Sequence, residues 1–149
     1  EGIFKGETIN TPSMLCVEDY LDALKWAEGL GGLPALIERS EASLRAIARH
    51  VNQSGVFGFL AKDPASRSNT SVCLTIADPE IASRSADEQA AFAKKVADIL
   101  EKEGVALDAG GYRDAPPGLR IWCGATVETA DVEALMPWLD WAVAKAKAS

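Results

Sequence analysis

Four stretches of the chain carry apolar side chains at every third or fourth residue, which is the spacing of an amphipathic helix. The first follows Thr11, which can cap a helix, and Pro12, whose missing N–H costs nothing in a first turn. Glycine-rich residues 29–32 separate it from a longer second helix that ends near Gly55. The apolar positions are Met14, Val17, Leu21 and Leu24 in the first helix, and Leu33, Leu36, Ile37, Leu44, Ile47, Ala48 and Val51 in the second.

The third and fourth predicted helices have clearer local signals. Ser85 and Glu88 stand at the spacing of a capping box, which starts the third helix. The fourth begins after Thr129 and contains Pro137, whose ring opposes the carbonyl four residues before it. The sequence therefore predicts a bend in this helix near Glu133.

Shorter apolar runs between these helices are typical of strands. The extended or strand-like segments are residues 3–10, 56–60, 71–76, 105–108 and 119–125. Polar residues 62–69 join two of them, and a loop rich in glycine and proline, residues 109–118, precedes the last. The predicted order is α-α-β-β-α-β-β-α without a repeat or linker. It favours a two-layer α+β domain, with a small mixed or antiparallel sheet packed on helices.

Composition narrows the possible functions. The 149 residues suit one domain, and 48% hydrophobic with 25% charged residues is typical of a globular protein and not of a disordered one. A net charge of −7 argues against binding nucleic acid, and the apolar stretches are too short to span a membrane. We therefore expect a cytoplasmic, soluble protein. Because the chain starts at Glu1 without a Met or a signal peptide, we also expect it to be a piece of a longer one.

Most candidate reactive groups favour structural interpretations. Cys16, Cys73 and Cys123 lie far apart in apolar stretches, so buried free thiols are expected rather than a metal site or a disulfide. The single histidine, His50, has no nucleophile in motif context, and we expect it at a helix surface or C-terminal turn. Residues 29–32 resemble a phosphate loop only in composition and are predicted to be a turn. No His/Cys cluster has metal-ligand spacing.

The exception is the segment from Gly110 to Arg120, in which two arginines flank a loop of glycines and prolines. Glycines allow the backbone to approach a ligand closely, and a guanidinium offers a planar fork to a carboxylate. Arg120 and Arg113 are therefore candidate anion-binding residues. The alternative is that Arg113 pairs with Asp114 and that Arg120 lies at a strand edge, and the residues alone leave both interpretations open.

Four motifs in the sequence together indicate a resemblance to a known family. Residues 6–15 (GETINTPSML), 68–71 (SNTS), 111–113 (GYR) and 118–124 (GLRIWCG) together resemble the C-terminal part of the phosphoserine aminotransferase family, over nearly the whole chain. The likeness is greatest to the branch found in some bacteria and in methanogens. The resemblance implies a class V, fold type I aminotransferase that uses pyridoxal phosphate. Such enzymes move an amino group between glutamate and 3-phosphohydroxypyruvate in serine synthesis, or act on a related phosphorylated substrate in vitamin B6 synthesis.

The resemblance also implies roles for individual residues. Asn10 and Thr11 would bind the cofactor phosphate in the neighbouring subunit of a homodimer, and Arg120 would grip the substrate α-carboxylate. Arg113 and Tyr112 would face the substrate phosphate, although many relatives have His where this chain has Tyr112. Residues 1–12 would connect to a large domain, and residues 13–149 would form the small, C-terminal domain.

The family's Schiff-base lysine, acidic pyridine partner and stacking aromatic belong to the large domain, and none can be placed in this chain. Its lysines lie on polar helix faces, among them Lys25, Lys94, Lys95, Lys102, Lys145 and Lys147. We therefore expect this chain alone to be inactive, to expose Leu, Ile or Trp side chains, and to self-associate. The alternatives are a free-standing anion-binding α+β module and another class V aminotransferase with a different anionic substrate.

Overall fold

The computed structural model describes residues 2–112 and 114–148. Its chain divides into two compact units, Glu1–Leu36 and Ile37–Ser149. The elements are α1 (Met14–Gly29), α2 (Gly32–Ser54), β1 (Phe57–Phe59), β2 (Ser71–Ile76), α3 (Pro79–Ala82), α4 (Ala86–Lys102), β3 (Leu119–Trp122) and α5 (Thr129–Ala148). The expected fold class, a small α+β domain with its sheet packed against helices, is confirmed. No helix among the described residues is long and apolar enough to cross a membrane.

The sheet lies in the second unit and has the order β1-β2-β3, with both pairs antiparallel. Side chains alternate along it, so that Val72, Leu74 and Ile76 of β2 are buried on one face. Leu119 and Ile121 of β3 are buried as well, whereas Arg120 and Trp122 alternate with them and point the other way. This alternation places Arg120 on the face of the sheet that the core does not cover.

The core of the second unit forms between this sheet and the apolar stripes of α2, α4 and α5. Ile47, Val96, Leu100 and Leu139 are fully buried there. The capping box that starts α4 is present: Ser85 accepts from the Glu88 N–H, and the Glu88 carboxylate accepts from the Ser85 N–H at 3.0 Å. The hydrogen bonds from Ser85 lower the pKa of Glu88.

The first unit contains α1 and the beginning of α2. No residue of α1 is buried, and Leu21, Leu24 and Trp26 expose about two fifths or more of their surface. The expected exposure of apolar side chains is thus confirmed, while self-association stays a prediction. Residues 29–32 are the turn between α1 and α2, as the sequence predicts.

Several predictions about local structure are wrong. Residues 105–108 form no strand; Asp108 has a left-handed backbone there (φ +53°), and only Gly110 bridges to Leu119. Ser13 caps α1 in place of Thr11. The stretch predicted to be extended at residues 3–10 opens with a 3₁₀ turn, Gly2–Lys5, and α3 was not predicted. α5 contains Pro137, but the bend near Glu133 stays a prediction.

The prediction that the three cysteines are free is confirmed, but the prediction that they are buried holds only for Cys123. All three thiols are free, but Cys16 is exposed and Cys73 is half-buried. Cys16 lies in α1, in which no residue is buried. Cys123 alone is buried, and burial raises its pKa to about 11. A thiol held protonated in this way is a packing residue rather than a nucleophile.

Candidate functional site

The candidate site is built where the loop before β3 folds back on the sheet. The Arg120 N–H donates to the Ala109 carbonyl at 2.9 Å, and Gly110 forms a bridge with Leu119. At Gly118 the loop passes so close to β2 that a Cβ would lie 2.1 Å from the Leu74 carbonyl oxygen. Gly118 therefore allows the close approach that fixes the loop beside Arg120.

The Arg120 guanidinium is held on two sides. Its Nη2 donates to Oδ2 of Asp108 at 2.8 Å, and its Nη1 donates to the Tyr112 hydroxyl at 3.2 Å. The guanidinium carbon also lies 4.3 Å from the centre of the Tyr112 ring, which is a cation–π contact. The Arg120 side chain is only 18% exposed. Nε is buried and has no acceptor among the described residues.

A cavity of about 300 Å³ lies beside this arginine. Asp108 and Arg120 supply its charged groups, and Leu107, Trp122 and Leu135 are among its apolar lining residues. A buried arginine with an unused donor, next to a small cavity, is suited to bind a carboxylate of a small molecule.

The structure brings together two of the predicted site residues, Arg120 and Tyr112. Arg113 lies outside the described residues, so its predicted role and its pairing with Asp114 stay predictions. Asn10 and Thr11 belong to the first unit, where both are exposed and precede Ser13, the N-cap of α1.

Sequence reasoning missed Asp108, which is the ion-pair partner of Arg120. The apolar residues 105–107 predict a strand through Asp108, where the chain instead has a left-handed backbone. A signal existed, because aspartate is among the few residues that tolerate a left-handed backbone. It also missed Trp122, which is exposed and lines the cavity two residues after Arg120.

The histidine does not line the cavity beside Arg120. His50 of α2 is half-buried and lies 3.2 Å from Oδ1 of Asp140 in α5, so it joins two helices. No group of three His, Cys, Asp or Glu side chains in residues 2–112 and 114–148 could hold a metal ion.

Comparison with known proteins agrees with the resemblance indicated by the four sequence motifs. No family model matches the chain. Over 140 residues, 94% of its length, the chain is 47% identical to the phosphoserine aminotransferase of Methanosarcina mazei and 49% identical to that of Methanosarcina barkeri. The chain is similar to phosphoserine aminotransferases. The resemblance expected from the four motifs is thus confirmed, and the chain spans 35% of each of these relatives.

Solved structures of phosphoserine aminotransferases share the fold. The enzyme from Bacillus circulans subsp. alkalophilus matches with a TM-score of 0.74 and 24% identity, over 91% of this chain and 34% of that one. Another, studied for radiation damage of its Schiff base, matches with a TM-score of 0.76 and 19% identity, over 96% of this chain and 36% of that one. At these identities the likeness supports the fold alone.

Proposed function

We propose that this chain is the small, C-terminal domain of a pyridoxal-phosphate-dependent phosphoserine transaminase. The similarity of 47% and 49% identity to the two Methanosarcina enzymes, across 94% of the chain, carries this proposal. The full-length enzyme would transfer an amino group between glutamate and 3-phosphohydroxypyruvate. We further propose that it is a cytoplasmic homodimer and that the chain alone is inactive.

In this function Arg120 binds the substrate α-carboxylate. Its unused Nε donor and its Nη2 lie on one edge of the guanidinium, which matches the two oxygens of a carboxylate. Tyr112 supports this role because its ring and hydroxyl hold the opposite side of the guanidinium. An arginine oriented before the ligand arrives loses little conformational freedom on binding, and the bound substrate is fixed for proton transfer at its α-carbon.

The residues proposed to hold the cofactor phosphate have suitable chemistry. Asn10 offers an amide N–H and Thr11 a hydroxyl, and both side chains are exposed and make no hydrogen bond among the described residues. They precede the N-terminus of α1, where main-chain N–H groups also favour an anion. Pyridoxal phosphate, when bound, supplies the electron sink for amino transfer. The residues present therefore fit its phosphate.

A chimeric enzyme tests the proposal. The segment of the Methanosarcina mazei enzyme that matches this chain is replaced by the chain itself, and transamination of 3-phosphohydroxypyruvate with glutamate is measured. We expect an active chimera, and we expect Arg120→Leu to lower kcat/KM by about 100-fold or more because an unpaired substrate carboxylate is left in the site. Cofactor content, read from the absorbance of the bound pyridoxal phosphate, should stay nearly unchanged.

Arg49→Leu is the matched control, because Arg49 forms an exposed ion pair with Glu133 away from the cavity. Its kcat/KM should stay within about twofold of the unmodified chimera. An Arg120→Leu chimera with full turnover would contradict the proposed clamp. Preference for a different anionic 2-oxo acid over 3-phosphohydroxypyruvate would instead assign the chain to another class V aminotransferase.

A further inference from the structure

We propose that Asp108 is a built-in competitor for the carboxylate clamp, occupying half of the Arg120 fork until a ligand carboxylate displaces it. This inference rests on the proposed function of Arg120 and adds a residue that sets the affinity of that site.

The ion pair between Asp108 and Arg120 uses only one of the two donors on its edge of the guanidinium. Oδ2 of Asp108 accepts from Nη2 of Arg120 at 2.8 Å, whereas Nε on the same edge of the guanidinium has no acceptor among the described residues. A carboxylate that binds this edge side-on uses both donors. Asp108 therefore makes one of the two charge-assisted hydrogen bonds that a ligand carboxylate would make, and a ligand gains the second.

Asp108 and Arg120 differ in how far they are exposed to solvent. The Asp108 side chain is 85% exposed, while that of Arg120 is mostly buried. A carboxylate so exposed remains hydrated when it leaves the arginine, so Asp108 itself loses little on release. A buried arginine, in contrast, needs an anionic partner in place, and Asp108 supplies one in the free protein.

The backbone explains why Asp108 remains within reach. Among the described non-glycine residues it alone has a positive φ, of 53°, and the next residue, Ala109, is tied to β3 by its hydrogen bond from Arg120. The main chain therefore holds the Asp108 side chain beside the fork. Release requires only rotation of that side chain, while Tyr112 keeps the guanidinium oriented from its other side.

A competing group inside the protein lowers the apparent affinity for every ligand that needs the Nη2 donor of Arg120, because only the fraction of molecules with a free fork can bind. An anion that accepts a hydrogen bond from Nε alone does not displace Asp108, so its affinity is not reduced. Asp108 therefore sets how tightly side-on carboxylates are bound.

The test uses the Asp108→Asn variant of the chimera described above. Asparagine tolerates the left-handed backbone and removes only the charge. We expect the KM for 3-phosphohydroxypyruvate to fall about two- to fivefold, the factor expected when the lost carboxylate is itself exposed, with kcat nearly unchanged. Asp87→Asn changes the net charge equally in the exposed first turn of α4 and should leave KM unchanged. Thermal unfolding of each variant verifies that it folds.

A second measurement observes Arg120 directly. In ¹H–¹⁵N spectra of the 149-residue chain, acetate added at constant ionic strength should shift the Arg120 Nε–H resonance, with a midpoint two- to fivefold lower in Asp108→Asn. An unchanged midpoint and an unchanged KM would overturn the role of Asp108, even if Arg120→Leu abolishes turnover and so supports the clamp. If Arg120→Leu retains turnover, the clamp itself fails and this inference fails with it.

Discussion

Arg120 differs from Arg49 and Arg84 in what surrounds its guanidinium. Arg49 and Arg84 pair with carboxylates at the surface, where such pairs contribute little. Arg120 is instead mostly buried, rests against Tyr112 and keeps one donor without an acceptor among the described residues. The sequence predicted Arg120 as an anion-binding residue from its loop context, but the contacts that orient it come from Tyr112 and Asp108, eight and twelve positions away along the chain.

Gly118 supports this arrangement and offers a prediction of its own. Because a Cβ there would lie 2.1 Å from the Leu74 carbonyl oxygen, Gly118→Ala must push the loop away from β2. We expect a loss of about 1–3 kcal/mol in the free energy of unfolding, measured by urea denaturation. Gly110→Ala is the control, since its Cβ would meet nothing within 4 Å, and should change stability by less than about 0.5 kcal/mol. Equal effects of both substitutions would contradict the role given to Gly118.

At the scale of elements, those with strong local signals could be predicted from the sequence. The capping box fixed the start of α4, and the alternation of β2 predicted its six residues, Ser71–Ile76. Prediction failed where long-range contacts decide the outcome, as at residues 105–108, whose apolar run ends at Asp108 in a left-handed backbone and forms no strand. The exposure of Cys16 was missed because periodicity gives the face of a helix but not whether another element covers it.

The C-terminal end of α5 is joined to the start of α3 by an ion-pair cluster. Nζ of Lys147 lies 3.0 Å from Asp78 and 2.9 Å from Glu80. The hydrogen bond from Lys147 is the largest effect that lowers the pKa of each carboxyl, and Arg84 lowers that of Glu80 further. The same contacts raise the pKa of Lys147. The cluster therefore links the stability of this end of the second unit to pH.

The sign of this dependence follows from the lowered pKa values. Carboxyls with a lower pKa in the folded state stabilise it above their unfolded pKa of about 4, and this contribution is lost as pH falls through the folded values. We expect Lys147→Met to be less stable than the unmodified chain at pH 7 and to lose less stability between about pH 4 and pH 2. Urea midpoints measured across this range test it. Lys62→Met, in an exposed loop, is the control and should retain the acid dependence of the unmodified chain.

At the scale of the whole molecule, the second unit contains the buried core and the Arg120 site, and the first unit contains a helix without buried residues. The chain spans about a third of the length of the relatives it resembles. The sequence predicted this partial character because the Schiff-base lysine, the acidic pyridine partner and the stacking aromatic of the family it resembles could not be placed in it.

The lysines allow a last prediction about the chain as a whole. An amine must be neutral to form a Schiff base, yet Lys94, Lys145 and Lys147 each pair with a carboxylate, and Lys95 donates to the Ala146 carbonyl. With one equivalent of pyridoxal phosphate and borohydride, we expect no single lysine of this chain to be modified stoichiometrically. Peptide mapping by mass spectrometry measures the site and the extent of modification.

The chimera described above is the matched control for this experiment. Under the same conditions it should take up about one equivalent at a lysine outside the segment contributed by this chain. Stoichiometric reduction at one lysine within the segment, in both the chain and the chimera, would mean that the electron sink is anchored here. The proposal that the small domain supplies Arg120 and the large domain supplies the reactive amine would then be wrong, because both groups would belong to the same domain.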